Sequence, residues 1–276
     1  MKTISHIGFI GGGNMARCLI GGLLADGHPA DAISVSEPDA TQRDYLHNTF
    51  GVSCYATAEQ LVAHADAIVL AVKPQIMSTV AHALRESLST HKPLIISIAA
   101  GITIKSLQRW LGADLAIVRS MPNTPALVQA GATGLYAAPQ VNATQRSLAE
   151  SVLRAVGITV WVEQENTLDT VTALSGSGPA YVFLLMESLQ QAAEQLGLNT
   201  EQARLLTLQT VFGAAKMAVE SPESTATLRE RVTSKGGTTA AALAVFENGG
   251  FRNLVNKAVS AAQQRAQTLA QELDQD

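Results

Sequence analysis

Aromatic side chains make up only 4% of this 276-residue chain, too few for a β-sandwich filled by large rings. Cysteine is scarcer still. Cys18 and Cys54 have neither CxxC nor metal-ligand spacing, so no metal site is expected and both read as small, inert side chains. Net charge is −4 and no run of Lys or Arg could follow a phosphate backbone, which excludes nucleic acid as a natural partner. No apolar run approaches the roughly 18 residues of a membrane span. Met1-Lys2-Thr3 leads directly into a first strand with no apolar leader and cleavage site, so the expectation is a soluble, cytoplasmic protein. What is abundant is Ala, Leu, Val and Gly. With 47% hydrophobic residues there is enough material for a core of helices packed on a sheet.

The pattern along the first half alternates. Ile4 to Ile10 is an apolar run ending in glycines, and Met15, Leu19, Ile20, Leu23 and Leu24 then recur at helical spacing before Gly27. Further β-rich runs at 33–36, 67–72, 94–98, 115–119, 134–137 and 159–162 are separated mostly by amphipathic segments, which predicts a parallel, doubly wound sheet. After Glu163 only helices are found, the clearest over 179–196, 200–219, 226–231, 239–248 and 251–273. We therefore expect two domains, 1–164 and 165–276. The stretch Tyr181-Val182-Phe183-Leu184-Leu185-Met186 is apolar all round, more than a small helical domain buries alone, so the second domain is expected to pair with another copy.

Gly11, Gly13 and Ala16 stand at the three positions of a GxGxxG-type fingerprint, after a strand and inside the start of a helix. In that context Gly11 makes the tight turn, Gly13 admits a pyrophosphate to the backbone, and Ala16 permits close helix–sheet packing. The segment Gly11-Gly12-Gly13-Asn14-Met15-Ala16 is thus read as the anion-binding turn of a Rossmann domain, with the phosphates facing free helix N–H groups. Glu37 ends the second strand about twenty residues further on, where a carboxylate binds the ribose hydroxyls of NAD. Ser36 and Arg43 beside it suit the 2′-phosphate of NADP instead, and the residues leave that choice open.

Three loops at strand ends border the same crevice: Ala71-Val72-Lys73-Pro74, Ser97-Ile98-Ala99-Ala100-Gly101 and Met121-Pro122-Asn123-Thr124-Pro125. With Leu174-Ser175-Gly176-Ser177-Gly178-Pro179-Ala180-Tyr181 and Ser234-Lys235-Gly236-Gly237-Thr238-Thr239, the chain closely resembles pyrroline-5-carboxylate reductases, over a stretch from the first strand to about Phe251. The resemblance implies reduction of the cyclic imine 1-pyrroline-5-carboxylate to L-proline with NADPH, NADH being the alternative. It implies an N-terminal Rossmann-type doubly wound parallel sheet followed by an all-helical C-terminal dimerisation domain, with dimers assembled into a larger ring. Carried over by motif, Gly11 to Ala16 hold pyrophosphate, Ser36 the adenosine ribose or its phosphate, and Ala71, Val72, Lys73, Pro74, Ala99, Ala100 and Gly101 the ribose and nicotinamide end. Asn123 and Glu165 are further cofactor candidates. Ser234, Gly236, Gly237, Thr238, Thr239 and Ser177 are the substrate candidates. Lys235 departs from the proline usual in the family, which loses a fixed backbone angle.

A cyclic imine that carries a carboxylate needs anion recognition, a hydrogen bond to orient the ring nitrogen, and a hydride donor held face-on. Gly236 and Gly237 precede a helix start, where backbone N–H groups suit the carboxylate. Thr239 offers a hydroxyl to the imine nitrogen and is the candidate catalytic residue. The imine is itself basic, so no strong acid is required, and His6, His28, His47, His64, His82 and His91 are read as structural. A 3-hydroxyacid dehydrogenase shares the two-domain plan but places a lysine on the helix that opens its second domain; the 179–196 segment has none. A cofactor-binding sensor without catalysis is the remaining rival, hinted at only by Lys235.

Overall fold

Four consecutive buried residues at Ile7–Ile10 form β1, and β2 (Ile33–Ser36) and β4 (Ala67–Leu70) pair with it in parallel on either side. The computed structural model describes residues 4–112 and 114–274. Beyond β2 lies β3 (Ser53–Tyr55). Beyond β4 come β5 (Leu94–Ser97), β6 (Ile117–Met121), β7 (Gly131–Ala137) and β8 (Gly157–Trp161), giving one sheet in the order β3-β2-β1-β4-β5-β6-β7-β8. The period of two decides the layers. Ile7 and Phe9, Ala67 and Val69, Leu94 and Ile96, and Val118 face one apolar core. Ile10, Ile68 and Leu70, Ile95, and Ile117 face the other. Both faces are covered over β1 and β4 to β6, as parallel strands require, while the edge strand β8 leaves Ile158 and Val160 exposed.

Helices α1 (Asn14–Ala25), α2 (Ala40–Phe50), α3 (Glu59–Val62), α4 (Pro74–Thr90), α5 (Ile104–Leu111) and α6 (Ala143–Arg154) supply those covers. Their starts differ in a way that matters later. Asp39 caps α2, Thr103 caps α5, and Asn142 with Gln145 forms a reciprocal capping box on α6. By contrast α1, preceded by Gly13, and α4, preceded by Lys73, begin with no side-chain cap.

Two expectations about the sheet need correction. β7 runs antiparallel to β6, not parallel, because only the short 3-10 turn Thr124–Val128 joins them and a parallel crossover needs a dozen or more residues. The strand β3 is an addition to the expected set: Ser53-Cys54-Tyr55 sits at the sheet edge, half-buried or exposed, and has no apolar run to announce it.

The described residues divide into two compact units, one reaching Ser177 and taking back the chain from Ala262 onward, the other Gly178–Ala261. This division falls later than the change of pattern at Glu163. The reason is that α7 (Thr167–Val171) belongs to the sheet layer: Leu168 and Val171 lie where a side chain on Gly134 of β7 would be. A π-helical turn, Thr172–Gly176, continues α7 without a break, so the expected Ser175–Gly178 loop is mostly helical.

The second unit contains α8 (Gly178–Gln195), α9 (Thr200–Glu220), α10 (Thr225–Arg231), α11 (Thr238–Asn248) and the first turns of α12 (Phe251–Leu273). Its helices bury few of their own apolar residues. Phe183, Leu184, Leu205, Phe212, Val245 and Leu254 are each more than half exposed, far more apolar surface than a monomer ordinarily presents. Among the described residues no helix is long and apolar enough to cross a membrane.

Candidate active site

The chain leaves β1 toward β2 and β3, then crosses back to β4 on the opposite side. Loops after β1 and β4 thus diverge and open a crevice at their carboxyl ends. A cavity of about 710 Å³ occupies it, lined by Gly11 to Gly13, Ser36 to Pro38, Ala56 to Glu59, and Ala71 to Lys73. Gly11 is held at φ +97°, its N–H donating to the Ser36 carbonyl at 2.8 Å. A Cβ there would stand 2.8 Å from the Ala71 carbonyl oxygen, so both the angle and the approach demand glycine. A Cβ on Gly13 would meet nothing within 4 Å: the loop offers an open, uncapped helix start on the cavity side. Asn14 and Met15 form the first turn of α1, and Ala16 is fully buried against the sheet. Size, glycine cradle and free N–H groups together fit a dinucleotide.

Three charged side chains line this cavity: Glu37, Glu59 and Lys73. Glu37 is fixed by two backbone donors, Gly12 N–H to Oε2 at 2.9 Å and Asp39 N–H to Oε1 at 3.1 Å. The Thr57 hydroxyl holds the Glu59 carboxyl below the ordinary carboxylate range. Arg43, a candidate for a 2′-phosphate, instead donates to the carbonyls of Glu37 and Pro38 at 2.8 and 2.7 Å and does not line the cavity. Arg17 is likewise engaged, with the Gly12 carbonyl and with Gln42, and stacks on Tyr45. Ser36 lines the cavity but is only 7% exposed. Pro74 takes the first position of α4, directly after Lys73. No histidine lines the cavity.

Ala99, Ala100 and Gly101 follow β5 and lie outside this cavity. Ala99 is buried, and Gly101, at φ +76°, is covered by Leu269 and Leu273 from the end of α12. Asn123 spans two pieces of backbone: Nδ2 donates to Ser175 O at 3.0 Å and Oδ1 accepts from Ala132 N–H at 2.9 Å. Its amide therefore holds the β6–β7 turn to the π-helical segment, where the sequence suggested a bridge to cofactor. Glu165 is also drawn inward. Its Oε1 accepts from Ile104 N–H at 2.9 Å, at the start of α5, and from Arg119 at 3.0 Å.

Arg119 is 5% exposed in a mostly buried strand, and besides Glu165 it faces Asp169 at 3.8 Å. Burial pushes the Asp169 carboxyl up; Arg119 pulls it down and Glu165 up, both by less than burial does. Sequence reasoning does not find this triad. Its one signal is an arginine inside Ile117-Val118-Arg119-Ser120-Met121, since a charge in a buried strand requires a partner.

In the second unit, Ser234 to Gly237 form the turn before α11. Gly236 sits at φ +73° with open space where its side chain would be, and Gly237 N–H donates to Ser234 O at 3.1 Å. No side chain caps α11, whereas α9 carries a capping box from Asn199 and Gln202 and α10 is capped by Ser224. Thr238 and Thr239 are the first helical residues, Thr239 half-buried and Thr238 exposed, as is Lys235. Ser177 closes the π turn of the first unit, its N–H on the Thr172 carbonyl at 2.8 Å.

A glycine cradle at the switch point of a doubly wound sheet, joined to a helical unit, defines a Rossmann-type NAD(P)-dependent oxidoreductase. A family model described as pyrroline-5-carboxylate reductase dimerisation matches residues 165–269, and one described as NADP oxidoreductase coenzyme F420-dependent matches 6–101. The pyrroline-5-carboxylate reductase of Pseudomonas aeruginosa is 51% identical over 270 residues, 98% of each chain. That of Arabidopsis thaliana is 37% identical over 266 residues, 96% of this chain and 95% of that one. Among solved structures, the Coxiella burnetii reductase superposes with a TM-score of 0.94 at 49% identity, covering 97% of this chain and 99% of that one. The Plasmodium falciparum reductase, with NADP bound, gives 0.83 at 32% identity, covering 98% and 99%. The chain belongs to the pyrroline-5-carboxylate reductase family.

Proposed function

We propose that this protein reduces 1-pyrroline-5-carboxylate to L-proline with NAD(P)H, the last step of proline biosynthesis. Identity to reductases of that name across nearly the whole chain carries the reading. The cofactor supplies the hydride that reduces the C=N bond. Gly11 to Ala16 hold its pyrophosphate, with Ser36, Ala71 to Pro74, Ala99 to Gly101, Asn123 and Glu165 along the rest of the molecule.

Substrate recognition falls to Ser234, Gly236, Gly237, Thr238 and Thr239, with Ser177 as a further candidate. In support, the turn before α11 leaves its first N–H groups without a side-chain partner, which suits a carboxylate. The Thr239 hydroxyl orients the ring nitrogen, and a protonated imine makes a separate acid unnecessary. The substrate and dimerisation region runs over 165–276 and the cofactor domain over 1–164, in a cytoplasmic homodimer that assembles further into a ring.

The test is nucleotide oxidation with pyrroline-5-carboxylate as substrate. Thr239→Ala is expected to lower kcat/KM by about tenfold or more while nucleotide binding holds. Gly13→Glu, placing a carboxylate where phosphate should lie, is expected to abolish nucleotide binding. Undiminished turnover in both variants would overturn the site assignment, and an inactive wild type would overturn the function.

A further inference from the structure

We infer that the end of α12, through Leu269, Leu273 and Asp274, positions the loop after β5 for hydride transfer; the inference rests on the reductase reading, which sets Ala99, Ala100 and Gly101 beside the nicotinamide. The sheet holds the chain as far as Ile98, whose N–H donates to the Leu70 carbonyl at 3.3 Å. Beyond that point the loop meets the last helix. Gly101 turns at φ +76°, and a Cβ on it would stand 3.1 Å from Leu273 and 3.3 Å from Leu269. Two leucine side chains thus press on the loop backbone itself, and Gly101 is buried.

Polar contacts tie the same two segments just beyond. Ser106, in the first turn of α5 and 1% exposed, donates its hydroxyl proton to Asp274 Oδ1, 168 residues away. A carboxylate only accepts, so this bond fixes the next hydroxyl as well: Thr103 Oγ1, 2.7 Å from Ser106 Oγ, must donate to it. Thr103 keeps its lone pairs for the Ser106 N–H at 3.1 Å, which is the cap of α5. Arg109 donates to the Asp274 carbonyl at 2.9 Å and lies 3.4 Å from its Oδ1. The segment from Gly101 to Thr103 is therefore gripped by apolar contact at one end and by a directed chain of hydroxyls at the other. The pyrophosphate end of the cofactor, on Gly11 to Gly13, does not depend on this grip. Loosening it spares nucleotide affinity and slows the chemical step, which depends on how the nicotinamide faces the imine.

The measurement is the single-turnover rate at which pyrroline-5-carboxylate oxidises bound NADPH, set beside the NADPH dissociation constant, on the full-length oligomer well below its melting temperature. The variants are Leu269→Ala with Leu273→Ala, Asp274→Ala, and Asp274→Asn, which keeps an acceptor for Ser106. The leucine pair is expected to slow hydride transfer about tenfold and Asp274→Ala about threefold, with the dissociation constant held within about twofold and Asp274→Asn close to wild type. Should the leucine pair not fold, Asp274→Ala against Asp274→Asn decides alone. An unchanged rate in Asp274→Ala would overturn the inference, as would nucleotide binding that weakens in proportion to the rate, or an Asp274→Asn enzyme as slow as Asp274→Ala. A wild type that binds NADPH and does not oxidise it with this substrate would instead overturn the reading beneath.

Discussion

At the scale of the residue, Arg119 carries the largest local electrostatic demand. A guanidinium taken out of water costs several kcal/mol unless partners surround it. Glu165 and Asp169 are those partners, and Glu165 also accepts the N–H of Ile104 at the start of α5. Arg119→Met is therefore expected to cost about 3–5 kcal/mol in denaturant unfolding, because two carboxylates lose their cation. Asp169 gives the group a pH signature. Its folded carboxyl titrates above the ordinary 3.8, so the native state retains a proton that the unfolded chain releases. The stability tied to that proton is fully present below 3.8 and is lost as pH rises through the folded value. Asp169→Asn, measured by urea unfolding from about pH 3.5 to about pH 7, should show a shallower decline across that window than wild type.

At the scale of the element, helix starts differ in whether a side chain satisfies their first donors, the short α3 and α7 being uncapped as well. The helices with capped starts, α2, α5, α6, α9 and α10, have their first donors satisfied by side chains. Those that follow Gly13, Lys73 and Gly237 do not, and these three adjoin the segments to which ligand roles are assigned. The far end of α12 packs instead on the sheet layer, where Leu269 and Leu273 cover Gly101 after β5. Leu269→Ser with Leu273→Ser should lower the melting temperature by about 5–10 °C through lost apolar contact. The amphipathic helices and four-residue apolar strands are readable from periodicity alone. Three features are not. β3 has no apolar run, the direction of β7 depends on how short its connection is, and the π turn at Thr172–Gly176 has no side-chain period that distinguishes it from a loop.

At the scale of the molecule, the second unit does not make sense as an isolated body. Phe183 and Phe212 are 63% and 60% exposed on its two longest complete helices, and the family model matching this region is a dimerisation domain. Phe183→Asp with Phe212→Asp should shift the mass in light scattering to that of one chain, by placing charge in an apolar interface. An unchanged mass would place the contact on other helices.

The sequence by itself determined the two-part plan, the glycine turn at Gly11 to Ala16 and the kinship carried by the five motifs, because apolar period and motif spacing are local properties of the chain. Only the tertiary structure decided what the charged and polar residues near those motifs do. Arg43 turns to carbonyls, Glu165 turns to Arg119, Asn123 joins two backbone segments, and Glu37 alone among these four faces the cavity. The physical reason is that a buried or half-buried polar group must find its partner across the fold, and which partner lies within reach is set by strand order, not by distance along the chain.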